Sequence, residues 1–224
     1  MTSQPPAATL PQTELTRHRR LREQGSLSRN DLHAILDAAF VCHLGVVIEG
    51  RPLVVPTVYG RDDLNLYLHG SVASRSLAGE VPVCVTVTHV DGLVLARSVF
   101  EHGVNYRSAV IHGEARTVTD PEEKLEGLRL LTEHAAPGQW SYARLPSRKE
   151  LAATTLLAVS LQEASVKIRT GAPDDGTGPD AALGLWAGTL PLTTVWGAPV
   201  ADPVLSPDTP VPGHIARREG TRQG

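Results

Sequence analysis

Cysteine is nearly absent: the 224 residues contain two, Cys42 and Cys84, each beside valine in a strand-like run. Buried free thiols are placed this way, which excludes a disulfide-stapled fold and a cysteine-based metal site. A reducing cytoplasm is the expected compartment. Also missing is an apolar stretch long enough for a signal-peptide core or a membrane span. The N-terminus is polar and proline-bearing, then basic through Arg17, His18, Arg19, Arg20 and Arg22. A soluble protein without a membrane partner is expected. Nor is there an excess of positive charge. A formal charge of -3 and a pI near 6.3 give no general attraction to nucleic acid, so phosphate recognition has to be local.

Several catalytic motifs are missing too. The nine histidines show no His-x-x-x-His spacing, so no metal site is expected. No Gly-x-Ser-x-Gly, phosphate-binding Gly-Lys-Ser/Thr loop or Gly-x-Gly-x-x-Gly occurs, which removes the usual support for serine hydrolases of that type, P-loop enzymes and Rossmann enzymes. His69, His102 and His112 remain as candidates without a mechanism.

The chain length suits one well-filled core with extensions. Residues 1–27 lack apolar periodicity and read as a flexible N-terminal arm. Ser28-Arg29-Asn30-Asp31 resembles a capping box, and Leu32, Ile35, Leu36, Ala39 and Phe40 follow at helical spacing. From Val41 the period becomes two. VCHLGVVI, a turn at Glu49-Gly50, RPLVVPTVY, a polar turn and LNLYLH read as three successive strands. PVCVTVTHV, GLVLARSV and VNYRSAVIHGEARTV continue the pattern. Asp120-Pro121-Glu122-Glu123 starts a helix carrying Leu125, Leu128 and Leu131, and Ser147 starts a shorter one. TLLAVSLQ and EASVKIRT add two strands. Helix, strands, helices, strands is not a βαβ order; it predicts a mainly β (α+β) antiparallel barrel with a few flanking helices. The segment 171–224 holds eight of the 17 prolines and needs a surface to lie on, either the barrel or a partner.

Three segments have chemical content. HGSVASRS, residues 69–76, leaves a strand with serines, a glycine and Arg75, the parts of a phosphomonoester site, although serine and glycine also dominate ordinary turns. Asn105-Tyr106-Arg107-Ser108 puts an arginine in mid-strand, where it needs a carboxylate, a phosphate or solvent. Val55-Pro56-Thr57-Val58-Tyr59 carries a proline that marks either an edge strand or a bulge re-aiming backbone groups at a ligand.

Together, RPLVVPTVYGRDDLNLYLHGSVASRS, TVTHVDGLVLARSVFEHGVNYRSAVIHGEAR and LWAGTLPL resemble the successive signatures of the pyridoxamine 5′-phosphate oxidase-like FMN-binding split-barrel superfamily. More narrowly they resemble its flavin-nucleotide-binding branch, which is similar to the nitroimidazole-resistance reductases. The resemblance runs from about residue 28 to 192. It implies a split β-barrel over 28–170, a homodimer, and FMN in the groove between subunits. Val55, Pro56, Thr57 and Tyr59 would line the flavin ring, and His69, Ser71, Ser74 and Arg75 would surround the phosphate. Asn105, Tyr106, Arg107 and Ser108 would sit at the groove, with Trp186 approaching from the C-terminal segment.

Two departures narrow the expectation. The Arg-Leu-containing ending that pyridoxamine phosphate oxidases use for substrate phosphate has no counterpart before Gly224, so vitamin B6 oxidation is not expected. The phosphate-side lysine is replaced, with Arg75 the nearest cation. The expected activity is an FMN-dependent oxidoreductase acting on a small-molecule substrate, with NADH or NADPH as donor and His69 as the candidate acid or base. The alternatives are a non-catalytic flavin carrier or sensor, and a haem-binding or haem-degrading split-barrel protein.

Overall fold

Ser28 opens the first helix as its spacing predicts: its hydroxyl accepts the Asp31 N–H, and α1 runs Arg29–Ala38. The structure is a computed structural model that describes residues 8–69 and 81–223. Among the described residues there are nine strands, β1 (Gly25–Ser26), β2 (Val41–Ile48), β3 (Arg51–Arg61), β4 (Asn65–His69), β5 (Val81–Leu95), β6 (Gly103–Thr117), β7 (Leu156–Ser160), β8 (Ala164–Arg169) and β9 (Gly188–Pro191). All their pairings are antiparallel. Glu49 and Gly50, both at positive φ, make the two-residue turn that joins β2 to β3 with Ile48 opposite Arg51.

Ring closure follows from the length of β6. One side of it pairs with β5 throughout, while the other is shared, Tyr106–Ile111 going to β8 and Arg116–Thr117 to β7. The circuit β6-β7-β4-β3-β2-β5 returns to β6, with β8 and β1 on one flank and β9 on the other. This is a mostly antiparallel split barrel. The two runs PVCVTVTHV and GLVLARSV are one strand, and the alternation falters between them because Asp91 is an extra residue at a bulge between Val90 and Gly92.

Alternate residues fill the barrel: Cys42, Leu44 and Val46 from β2, Val83, Val85 and Val87 from β5, and Ala109 and Ile111 from β6. Leu32, Ile35 and Leu36 of α1 close one end. Each fully buried aliphatic side chain contributes roughly 1.5–3 kcal/mol. Cys42 lies in this core and Cys84 is half-buried, and both thiols are free. The further α-helices among the described residues are α2 (Pro121–Ala135), α3 (Gln139–Tyr142), α4 (Arg148–Ala153) and α5 (Gly213–Ala216). Asp120 caps α2, and Ser147 with Glu150 forms a reciprocal box at α4.

Helix α2 covers a second apolar cluster of Tyr67, Val118, Leu131, Leu156 and Ala158. It approaches β3 so closely that a Cβ on Gly60 would stand 2.4 Å from the Leu131 nitrogen. Backbone cannot yield as a side-chain tip can. Gly60→Ala should therefore lower unfolding stability by about 1–3 kcal/mol, measured by denaturant titration; an unchanged midpoint would contradict the close crossing.

The N-terminal segment departs from expectation. Leu10 is 2% exposed in the core, its N–H donates to the Leu27 carbonyl, and His18 bonds the Val166 carbonyl on β8. From residue 8 the segment is held by the barrel and not a free arm. A lone anchoring leucine has no period, so pattern could not expose it. Among the described residues no helix is long and apolar enough to cross a membrane.

Burial lowers the pKa of His134 below 6.5, and burial with the nearby Arg61 charge does the same for His33. The unfolded chain then binds more protons than the native one once pH drops to the ordinary histidine range. Stability should be full above 6.5 and fall as pH is lowered through it, by an amount set by the two histidines. Thermal midpoints across that range test this; a midpoint that rises on acidification would refute it.

Candidate functional site

Directly opposed residues of antiparallel strands share a face, so the strand registers define the outer surface of the barrel. One row across it runs Pro56, His43, Thr86, Val110, Ser165. Its neighbours run Val54, Gly45, Cys84, His112 on one side and Val58, Val41, Thr88, Ser108, Lys167 on the other. The inward partners of this face, Leu44, Val85, Ile111 and Val166, are buried. The outward apolar residues are not: Val47 is 62% exposed and Val54 64%, with Val41 and Val90 also open. Such a contiguous apolar surface calls for a ligand or a second protein chain.

Two grooves cross the face. One, of about 350 Å³, lies among Phe40, Val41, His43, Thr88, Val90 and Leu192. The other, of about 300 Å³, is almost wholly apolar and lies among Gly45, Val47, Pro52, Val54 and Cys84. His43 is exposed, and its ring makes no hydrogen bond to a described residue. His112, half-buried in the next row, makes none either. By contrast His18, His89, His134 and His214 each hold a protein acceptor through Nε2.

The edge of β3 adds backbone chemistry. Residues 51–58 pair with β2, whereas β4 takes up only Tyr59, Gly60 and Arg61. Among the described residues the other side of the stretch through Pro56 is therefore open. Backbone groups there pair with no described strand on that side, and a proline without an N–H is at home in such a stretch.

Strand alternation divides the residues expected at the site. Pro56 faces outward with His43, while Val55 and Thr57 lie opposite the buried Leu44 and Cys42. The Thr57 hydroxyl reaches the His69 carbonyl at 3.4 Å, which ties the β3 edge to the end of β4. His69 is exposed there; Ser71, Ser74 and Arg75 lie outside the described residues. Tyr59 does not line this face. It is 0% exposed, and its hydroxyl donates to the Leu36 carbonyl at 2.6 Å, so it belongs to the core.

The Asn-Tyr-Arg-Ser element splits in the same way. Tyr106 and Ser108 face outward, opposite Val90 and Thr88. Arg107 points to the other side and is held by Asp91 of the bulge, with Nε 3.0 Å from Oδ2 and Nη2 2.9 Å from Oδ1. The carboxylate anticipated as one answer for a mid-strand arginine is thus supplied by the bulge residue. Asn105 donates to the Gly171 carbonyl and accepts from Arg169. Trp186 is 69% exposed and lies close to Gly188, where a Cβ would come within 2.9 Å of the indole. Strand β9, which follows it, pairs with β5.

The C-terminal segment completes the surroundings. Trp196 stacks on Phe40 with ring centroids 5.7 Å apart, and Gln223 bonds the Thr194 carbonyl through its N–H. Phe40, Leu192, Thr194 and Gln223 all border the His43 groove. His43 and this wall were not singled out in the sequence. The alternation of VCHLGVVI does place His43 opposite the core side, and that was the available signal.

Residues 28–168 match the model of a protein family described as pyridoxamine 5′-phosphate oxidase. No curated protein matches the chain. Two solved structures are similar over nearly its whole length. The FAD and haem binding protein from Mycobacterium smegmatis is 38% identical, covering 88% of this chain and 98% of its own, with a TM-score of 0.83. The flavocytochrome Anf3 from Azotobacter vinelandii is 35% identical, covering 93% and 98%, with a TM-score of 0.85. A protein from Bacteroides thetaiotaomicron provisionally assigned to 5-nitroimidazole antibiotic resistance is 22% identical over 64% of this chain and 86% of its own, with a TM-score of 0.51, a likeness of fold.

Proposed function

The chain belongs to the pyridoxamine 5′-phosphate oxidase family, and we propose that within it this protein is a flavocytochrome, an oxidoreductase that binds a flavin nucleotide and haem. The observation that carries this reading is the extent of similarity. The two chains alike over 88% and 93% of this one are described as binding both FAD and haem or as a flavocytochrome. FAD thus replaces FMN as the proposed flavin.

The residues of the outer face fit both groups. Flavin needs hydrogen-bonding groups for its ring edge and a dry wall, and the open β3 edge beside Pro56 and Val54 offers them. Haem needs an apolar wall and an imidazole whose nitrogens are unspent. His43 among Val41, Val90 and Leu192 meets that need, so it is the proposed iron ligand. When bound, flavin supplies two-electron and one-electron chemistry and haem one-electron chemistry. The chain's own part is to hold the two groups on one surface, fix their orientation and exclude water. A homodimer is part of the proposal, because a second copy over Val47 and Val54 would remove that apolar surface from water.

The test is spectroscopic. Protein incubated with FAD and haemin, then freed of excess, should show flavin bands and a Soret band, and anaerobic NADH or NADPH should change both. A protein that retains neither group would sink the reading, and a flavin-only spectrum would remove its haem half. Light scattering that returns a monomer for the loaded protein would remove the dimer.

A further inference from the structure

We propose that the pocket between the C-terminal segment and the barrel is a binding site for a small organic or inorganic anion, carrying a phosphate or carboxylate group, held by Arg218 and Arg222. The pocket has a volume of about 270 Å³ and shares Ala39, Phe40 and Gln223 as a common wall with the His43 groove. It does not depend on the flavin or haem reading.

Arg218 is pre-positioned. Its guanidinium carbon stands 4.0 Å from the centroid of the Trp196 ring, and Nη1 donates to the Ala135 carbonyl at 2.8 Å. Trp196 is itself fixed by its stack on Phe40. A guanidinium held over a ring in this way retains N–H groups for a ligand and loses little freedom on binding one. This arrangement alone would be explained by fastening the tail to the barrel.

Arg222 is not explained so. Its backbone is set by the bridge to Val195 and by the neighbouring Trp196 N–H to Thr221 carbonyl bond. Arg222 borders the pocket, is exposed, and its side chain makes no ion pair or hydrogen bond with a described residue. The other polar groups on the wall are already engaged. Asp37, the carboxylate there, chelates Arg61, with Nε 2.7 Å from Oδ1. His134 bonds the Ala39 carbonyl and His214 the Gln139 side chain at 2.9 Å. Two permanent cations thus face one cavity whose carboxylate is spent elsewhere. An oxyanion bridging them would satisfy both, and guanidinium forks match phosphate and carboxylate oxygens in geometry.

The experiment is calorimetric titration of the purified full-length protein with inorganic phosphate and, separately, with succinate, each against sodium chloride at equal ionic strength. Saturable binding of at least one probe is expected, weakened tenfold or more in R222Q and in R218Q. Because the Arg222 side chain makes no hydrogen bond or ion pair with a described residue, R222Q should keep the wild-type melting temperature, which makes it the deciding variant if R218Q loosens the tail. A response to phosphate alone assigns a phosphoryl ligand, and one to succinate alone a carboxylate. Absence of saturable binding by both probes, an equal response to chloride, or wild-type affinity in R222Q would overturn the proposal.

Discussion

Replacing His43 with alanine is expected to abolish the Soret band of the loaded protein while its flavin bands and melting temperature stay as in the wild type. The ring projects from β2 between Pro56 and Thr86 and makes no hydrogen bond to a described residue, so the fold loses little when it goes. Surface substitutions of this kind usually change stability by no more than about 0.5 kcal/mol. The proposed haem iron would lose its ligand, because His89, the other histidine lining the groove, is spent on the Ile35 carbonyl, and haem affinity should fall on the order of a hundredfold or more. Imidazole added to H43A should restore the band, which a general disturbance of the groove would not permit. His112→Ala provides the comparison: it lies one row away, opposite Cys84, and should leave the band in place. A full Soret band in H43A together with its loss in H112A would transfer the role to His112.

Local chemistry made much of the fold readable beforehand. Ser28 and Asp120 announce their helices because a side-chain acceptor must satisfy the first exposed N–H groups, and both do so here. The period-two runs located β2, β3 and β4 for the equally local reason that one face is buried. What could not be read is long-range. The closure of the ring depends on β6 sharing one side between β7 and β8, and no residue of β6 states its partners. The continuity of β5 was hidden by a single inserted residue, Asp91, whose carboxylate then neutralises Arg107 from across the bulge. Leu10 shows the same limit at the N-terminus.

The site was legible in part for a related reason. Family motifs report which strands carry the face, and Pro56, Tyr106 and Ser108 are on it. Motifs do not respect alternation, however, so Tyr59, Asn105 and Arg107 came with them although their side chains lie elsewhere. His43 went unnoticed because one polar residue in an alternating strand is ordinary. Its interest arises from what surrounds it: an open apolar face, and a groove wall brought in from residues 192–223.

Tyr59 gives the sharpest separation of fold from site. Tyr59→Phe should lower unfolding stability by about 1–2 kcal/mol, and Tyr59→Ala by about 3–5 kcal/mol, while the folded Phe variant keeps its flavin. The reason lies at the end of α1, whose last carbonyls have no intrahelical N–H to accept. Four side chains from four segments take them or the carbonyl just beyond: His89 of β5 bonds Ile35, Tyr59 of β3 bonds Leu36, Gln223 reaches Ala38 at 3.5 Å, and His134 of α2 bonds Ala39. Burial pushes the Tyr59 phenol above its ordinary pKa, so the proton needed for its bond remains in place at any working pH. Its ring also packs on His134 at 4.8 Å, so removing the whole side chain opens a cavity between helix and barrel as well as freeing a buried carbonyl. The Phe variant loses only the second of these, which is why the two substitutions should differ severalfold. Denaturant titration with flavin absorbance recorded on the same samples decides the matter. A Y59F protein that is as stable as the wild type but has lost its flavin would return Tyr59 to the binding face.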